Sequence, residues 1–132
     1  MAATLTSYLW IAAGSALGGA GRYFISTLIA RHFGETFPLG TMTVNIVGSL
    51  IIGLFATLSD PGGRLLLSGD LRLAIMIGVL GGFTTFSSFS LQTLNLLRDG
   101  QGLLATVNIV ASVVLCLVGV WLGHAAGIVL NR

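Results

Sequence analysis

The sequence predicts an all-α membrane protein of four transmembrane helices with a break inside the third. Three observations carry this expectation. Of 132 residues, 55% are hydrophobic and only 8% are charged, where a soluble domain carries about 25% charged residues, and the mean hydropathy is +0.99. The apolar residues fall into four runs, 5–30, 39–58, 71–97 and 103–130, each close to or above the roughly 20 residues that cross a hydrocarbon core of about 30 Å. The connections are short, so residues 1–132 read as a single integral membrane domain with no soluble part.

The first run has no Lys or Arg before it. The charged start of a secretory signal peptide is missing, and the run reads as a membrane helix. It is rich in small residues, with Gly14 and Gly18 spaced for close helix packing in lipid. The second run follows Pro38, which sits at or just before the first helical turn, where a missing N–H costs little. It carries Gly40, Gly48 and Gly53, with Asn45 among them. Asp60-Pro61-Gly62-Gly63 then marks a turn.

The third run is uncharged from Leu73 to Leu97, yet its middle reads Gly81-Gly82-Phe83-Thr84-Thr85-Phe86-Ser87-Ser88-Phe89-Ser90. A segment serving only as an anchor would hold Leu, Ile and Val. Hydroxyls and helix-weakening glycines at that depth point to something bound or lined. The glycine pair reads as an unwound segment, with a close helix crossing as the alternative. Asp99-Gly100 and Gln101-Gly102 mark the next turn. The fourth run carries Asn108 and Ser112 near its start and Gly119, Gly123 and Gly127 beyond.

The six basic side chains are all arginine, without a basic cluster, which argues against nucleic acid as a partner. With four crossings, Arg64, Arg72 and Arg132 fall on one side and Arg22, Arg31 and Arg98 on the other. Loop Lys/Arg bias sets orientation, and an even split predicts insertion both ways. That permits an antiparallel homodimer with its two-fold axis in the membrane plane; the alternative is a single orientation set by subtler features. Cys116 stands alone in an apolar run and reads as a buried, inert thiol. His32 and His124 have no second ligand at helical spacing and do not suggest a metal site. No Asp or Glu lies in the four runs, whereas proton-coupled transporters rely on such carboxylates. Ser87 and Ser88 have no neighbouring base, which argues against a hydrolase and against an enzyme generally.

What remains is a set of uncharged donors: Thr41, Thr43, Asn45, Thr84, Thr85, Ser87, Ser88, Asn108 and Ser112. With phenyl edges, which carry partial positive charge, they could replace part of the hydration shell of a small anion. Binding by uncharged groups is weak enough to permit exit. For each hydroxyl the alternative is a bond to the carbonyl four residues back.

At these residues the chain resembles the Fluc, or CrcB, family of fluoride channels. The likeness rests on Gly78, Gly81-Gly82 and Thr84-Thr85-Phe86-Ser87-Ser88-Phe89-Ser90. Gly18, Gly21-Arg22-Tyr23, Pro38-Leu39-Gly40-Thr41, Asn45, Asn108 and Ser112 extend it over essentially the whole chain. The resemblance implies passive, fluoride-selective export across a bacterial inner (plasma) membrane, conferring fluoride resistance. It implies an antiparallel, dual-topology homodimer with two fluoride pores. It further implies a structural sodium ion on the two-fold axis, held by the backbone carbonyls of Gly81 and Thr84 from both subunits. Phe86 and Phe89 match the ring pair facing fluoride, Asn45 a pore-facing amide, and Ser88 and Ser112, with Thr85 and Ser87, the hydroxyl track. Thr41 joins the pore set, and Arg22 matches an arginine near the vestibule. Gln92 stands where many members carry Glu, and Phe83 where Leu is common. The competing readings are a small dual-topology exporter of organic cations and a non-transporting assembly subunit.

Overall fold

A computed structural model describes residues 4–132, and every regular element in them is helical. Helix α1 spans Leu5–Phe33 and starts at Thr4, whose side-chain oxygen accepts the Ser7 N–H at 3.3 Å. It runs three residues past the expected end and stops at Gly34, whose φ of +81° suits glycine. Helix α2 spans Leu39–Leu58, directly after Pro38. Helix α3, Gly69–Leu73, begins at Ser68, which caps it by accepting the Leu71 N–H. It passes without a break into a π-helical segment, Ala74–Leu80, and then into α4, Gly81–Phe83. Helices α5, Phe86–Arg98, and α6, Gly102–Leu130, complete the chain.

Three stretches, Leu39–Leu58, Gly69–Arg98 and Gly102–Leu130, are long and apolar enough to cross a membrane. α1 is not among them. Its 29 residues give about 44 Å of helix, but glycine, serine and Arg22 dilute its apolar character.

The interruption in the third stretch does not fall on the glycine pair. Gly81 is helical (φ −64°, ψ −36°), and the extended residues are Thr84 (φ −87°, ψ 158°) and Thr85 (φ −154°, ψ 115°). Gly82 instead serves the alternative purpose, a close crossing. A Cβ on Gly82 would stand 2.8 Å from the Ser15 carbonyl oxygen, and one on Gly78 would stand 3.0 Å from the Gly14 Cα. These glycines let α1 lie directly on the π segment and α4.

A second seam joins α2 to α6. There a Cβ on Gly123 would collide with the Leu50 carbonyl oxygen, and one on Gly53 with that of Val120. Overpacking a tight contact typically costs about 1–3 kcal/mol, and here the obstacle is backbone, which yields least. Gly123→Val is therefore expected to abolish recovery of folded, monodisperse protein from detergent. A normal size-exclusion profile for this variant would contradict the seam.

Polar contacts gather the helix ends. Ser7 donates to Asp70 Oδ1 at 2.7 Å, and Arg72 donates to Ser59 Oγ (3.0 Å) and Asp60 Oδ1 (3.3 Å). The Arg64 N–H donates to Asn131 Oδ1, and Asn131 Nδ2 to the Thr57 carbonyl. The start of α1, the 59–72 connection and the end of α6 thus meet at one end. At the other, the α1–α2 and α5–α6 connections border a shared cavity. The α5–α6 turn is a Schellman motif: Gly100 (φ +73°) donates to the Leu97 carbonyl and Gln101 to that of Leu96.

Candidate functional site

Two extended residues in the middle of a helical stretch leave backbone groups to be satisfied. Asn45, on α2, meets both groups of Thr85: its Oδ1 accepts the Thr85 N–H at 2.7 Å and its Nδ2 donates to the Thr85 carbonyl at 3.0 Å. In a continuous helix that N–H would serve the Gly81 carbonyl. The Ser88 N–H, which would serve Thr84, goes instead to the Thr85 side-chain oxygen at 3.1 Å, the cap that starts α5. The Gly81 and Thr84 carbonyls are thereby released from their usual helix donors. Hard oxygens of this kind fit an alkali cation in the manner of other hard-cation sites. Among the described residues no group of three or more His, Cys, Asp and Glu side chains could hold a metal.

Beside the interruption lies a cavity of about 360 Å³, lined from α2, α4, α5, α6 and the linking residues. It brings together Asn45, Gly81, Thr84, Thr85, Phe86, Phe89 and Ser112 of the expected set, and among the described residues no charged side chain lines it. The Phe86 and Phe89 rings lie 5.2 Å apart, tilted by 48°. Phe89 is buried, whereas Phe86 is 76% exposed. Gly48 floors the cavity against the Thr84 methyl group, where a Cβ would collide.

Several hydroxyls of the cavity and its rim are already committed. Thr84 donates to the Leu80 carbonyl (3.0 Å) and Ser49 to that of Asn45 (2.7 Å), each four residues back. Thr85 donates to Ser88 Oγ at 3.1 Å and pairs with Ser87 at 3.3 Å. Ser88 therefore keeps its own hydroxyl hydrogen without an acceptor among the described residues, as does one hydrogen of the Asn45 amide. Ser87 and Ser88 contact Thr85 without lining the cavity.

The remaining expected residues lie elsewhere. Thr41 is buried and lines a second, more polar cavity of about 810 Å³, with Arg31, Glu35, Gln92 and Asp99. Arg22 lines neither cavity and makes no side-chain hydrogen bond among the described residues. In that second cavity Gln92 Oε1 is buried without a hydrogen-bond partner among the described residues. Cys116, expected as a buried thiol, is half-buried and lines the first cavity one turn beyond Ser112. Thr93, absent from the expected set, joins it through Asn108: Asn108 Nδ2 donates to Thr93 Oγ1 at 2.9 Å. Thr93 falls just past the hydroxyl-rich run, one turn after Phe89, and that helical spacing was the available signal. The two histidines have local partners, His32 at the Leu28 carbonyl and His124 at Thr57 Oγ1.

Comparisons with known proteins place the chain in a family. Residues 9–124 match the family described as CrcB-like protein, Camphor Resistance (CrcB). The chain is 62% identical over 127 residues to the fluoride-specific ion channel FluC of Opitutus terrae, covering 96% of each chain. It is 57% identical over 126 residues to that of Rhodospirillum rubrum, covering 96% of this chain and 98% of the relative. It is 51% identical over 125 residues to that of Methylocella silvestris, covering 95% of each. With a family match over most of its length and relatives this similar from end to end, the chain belongs to the CrcB family.

Proposed function

We propose that this protein is a fluoride-selective ion channel that lets fluoride leave a bacterial cell passively, and that it is not an enzyme. The observation that carries this reading is the cavity at Thr84–Thr85, walled by uncharged donors and a phenylalanine pair, with no carboxylate. Fluoride is small and strongly hydrated, so a pore must offer close donors in place of lost water. The spare Asn45 hydrogen and the ring edges of Phe86 and Phe89 can make that exchange without a cationic side chain that would hold the ion. The names of the relatives support the same ion. An exporter of organic cations finds no carboxylate here to bind its substrate or couple to protons.

The working unit in this reading is an antiparallel homodimer with two pores, in the inner membrane, each subunit crossing four times with α1 as the further span. Phe86 supports it: a large ring 76% exposed at the mouth of the uncharged cavity is a surface for a second copy to cover. The even arginine split supports insertion both ways. The outward apolar faces of α1 and α6, including Leu17, Phe24, Val114 and Trp121, would meet lipid. Arg22 and Thr41 sit towards the entrance in this reading.

A structural sodium ion would be held by the freed carbonyls of Gly81 and Thr84 from both subunits. It would supply a fixed positive charge to the paired breaks. Exhaustive exchange of Na⁺ for a large organic cation is expected to lower fluoride flux and weaken the dimer; unchanged flux and assembly would contradict this assignment.

The reading is tested by a fluoride electrode. Vesicles loaded with potassium fluoride and carrying the purified protein should release fluoride promptly when a potassium ionophore is added. Vesicles loaded with chloride should not release chloride. Retention of fluoride by vesicles shown to contain inserted protein would overturn the reading.

A further inference from the structure

We propose that Thr93, Asn108 and Ser112 form a hydrogen-bond relay that withholds the Ser112 hydroxyl hydrogen from the cavity until an anion arrives and takes it back as the anion leaves. Thr93 and Asn108 act as positioning residues, through Ser112. This inference rests on the anion-channel reading above.

The relay reads in one direction. Thr93 Oγ1 donates to the Phe89 carbonyl at 2.7 Å, Asn108 Nδ2 donates to Thr93 Oγ1 at 2.9 Å, and Ser112 Oγ donates to Asn108 Oδ1 at 3.4 Å. All three residues are buried, and Asn108 is 1% exposed. Only Ser112 lines the cavity. In this arrangement Ser112 points its hydrogen at Asn108 and shows lone pairs to the cavity, the wrong polarity for an anion. The contact that holds it there is also the weakest, since hydroxyl bonds ordinarily span about 2.5–3.0 Å.

Turning Ser112 alone would leave the Asn108 oxygen bare in a buried site, which is costly. Turning all three groups avoids this. The Asn108 amide swaps its oxygen and nitrogen, which are close in size and differ only in donor and acceptor character. Its Nδ2 then donates to Ser112 Oγ, the Thr93 hydroxyl rotates to donate to Asn108 Oδ1, and the Ser112 hydrogen faces the cavity. The Phe89 carbonyl keeps the Thr93 backbone N–H as its helix donor. Every proton stays on its own heavy atom. Without an anion the turned arrangement lacks one bond, so the resting direction wins; an anion supplies that bond. The cost of turning the relay weakens binding and so favours release.

Thr93 sets the resting direction, because a hydroxyl that donates to the Phe89 carbonyl accepts from Asn108. Thr93→Val removes that bias: each direction then keeps one bond between Asn108 and Ser112, and the Ser112 hydrogen turns to an arriving anion without loss. The test measures fluoride efflux from vesicles across a range of fluoride concentrations. For Thr93→Val the half-saturating concentration is expected to fall about tenfold, the equivalent of one hydrogen bond, with a lower maximal flux. Thr93→Ser should behave as the natural protein, and Thr93→Val should change neither quantity in a Ser112→Ala background. Natural behaviour of Thr93→Val, or the same change with Ser112 removed, would overturn the relay while the channel reading stands. A natural protein that passes no fluoride would overturn both. If Thr93→Val is not recovered folded, the Asn108 side-chain amide resonance of the natural protein decides. It should shift on fluoride titration and stay fixed in Ser112→Ala; a resonance unmoved by fluoride in the natural protein overturns the relay.

Discussion

Asn45→Asp is expected to cut fluoride efflux about 100-fold or more. Two effects act together. The amide donates to the Thr85 carbonyl and accepts from the Thr85 N–H, and a carboxylate can do only the second, setting one oxygen against the Thr85 carbonyl. The substitution also places a negative charge on the wall of an otherwise uncharged cavity. At roughly 6 Å from an anion, with an effective dielectric constant of about 20, the repulsion is ~3 kcal/mol, which is about 100-fold in rate. Asn45→Ser loses the bidentate contact without adding charge, so its smaller deficit separates the two effects. Efflux from Asn45→Asp vesicles at the natural rate would refute the role of this residue.

Replacing either ring, Phe86→Ile or Phe89→Ile, is expected to lower flux at least about tenfold, ~1.4 kcal/mol on the barrier, while leaving a folded protein. An aliphatic side chain fills part of the space but offers no electropositive edge. The two differ in their structural cost. Phe89 is 9% exposed and Phe86 is 76% exposed, so Phe89→Ile should lower thermal stability measurably and Phe86→Ile far less in the separate subunit. Full flux from either variant, with normal assembly, would remove the rings from the pathway.

The extent to which the sequence foretold this structure differs from element to element, for physical reasons. The apolar runs and their turns were legible, because crossing a membrane needs a minimum length and because Pro38, Gly62 and Gly100 punctuate the chain. The end of α1 was not, since Arg31, His32 and Phe33 continue a helix readily and Gly34 alone stops it. The hydroxyl-rich stretch announced itself by composition. The location of the interruption did not. Gly81-Gly82 has the composition of a break, yet the extended residues are Thr84 and Thr85. What decides between them is Asn45, forty positions away in the chain, together with the Thr85 cap on α5. A bond between distant residues leaves no periodic trace. Gly82 was the converse case: a glycine kept for the close approach of α1 looks, in sequence, like one kept for flexibility.

The candidate pore residues were legible as a chemical class and only partly as a place. Asn45, Thr85, Phe86, Phe89 and Ser112 meet at one cavity, while Thr41 borders another and Arg22 borders neither. Thr41 is separated from Asn45 by one helical turn, so both are on one side of α2, but the side of a helix does not fix depth along it. Cys116 follows Ser112 by four residues, and that spacing put it on the cavity wall.

The proposed function requires that uncharged groups beside the Thr84–Thr85 interruption select and pass fluoride. Its most direct test is the reversal potential of the purified protein in a planar bilayer, with fluoride on one side and an equal concentration of chloride on the other. The current is expected to reverse far from zero, on the side demanded by a membrane permeable to fluoride and closed to chloride. A current reversing near zero, or none from protein shown to be inserted, would contradict it.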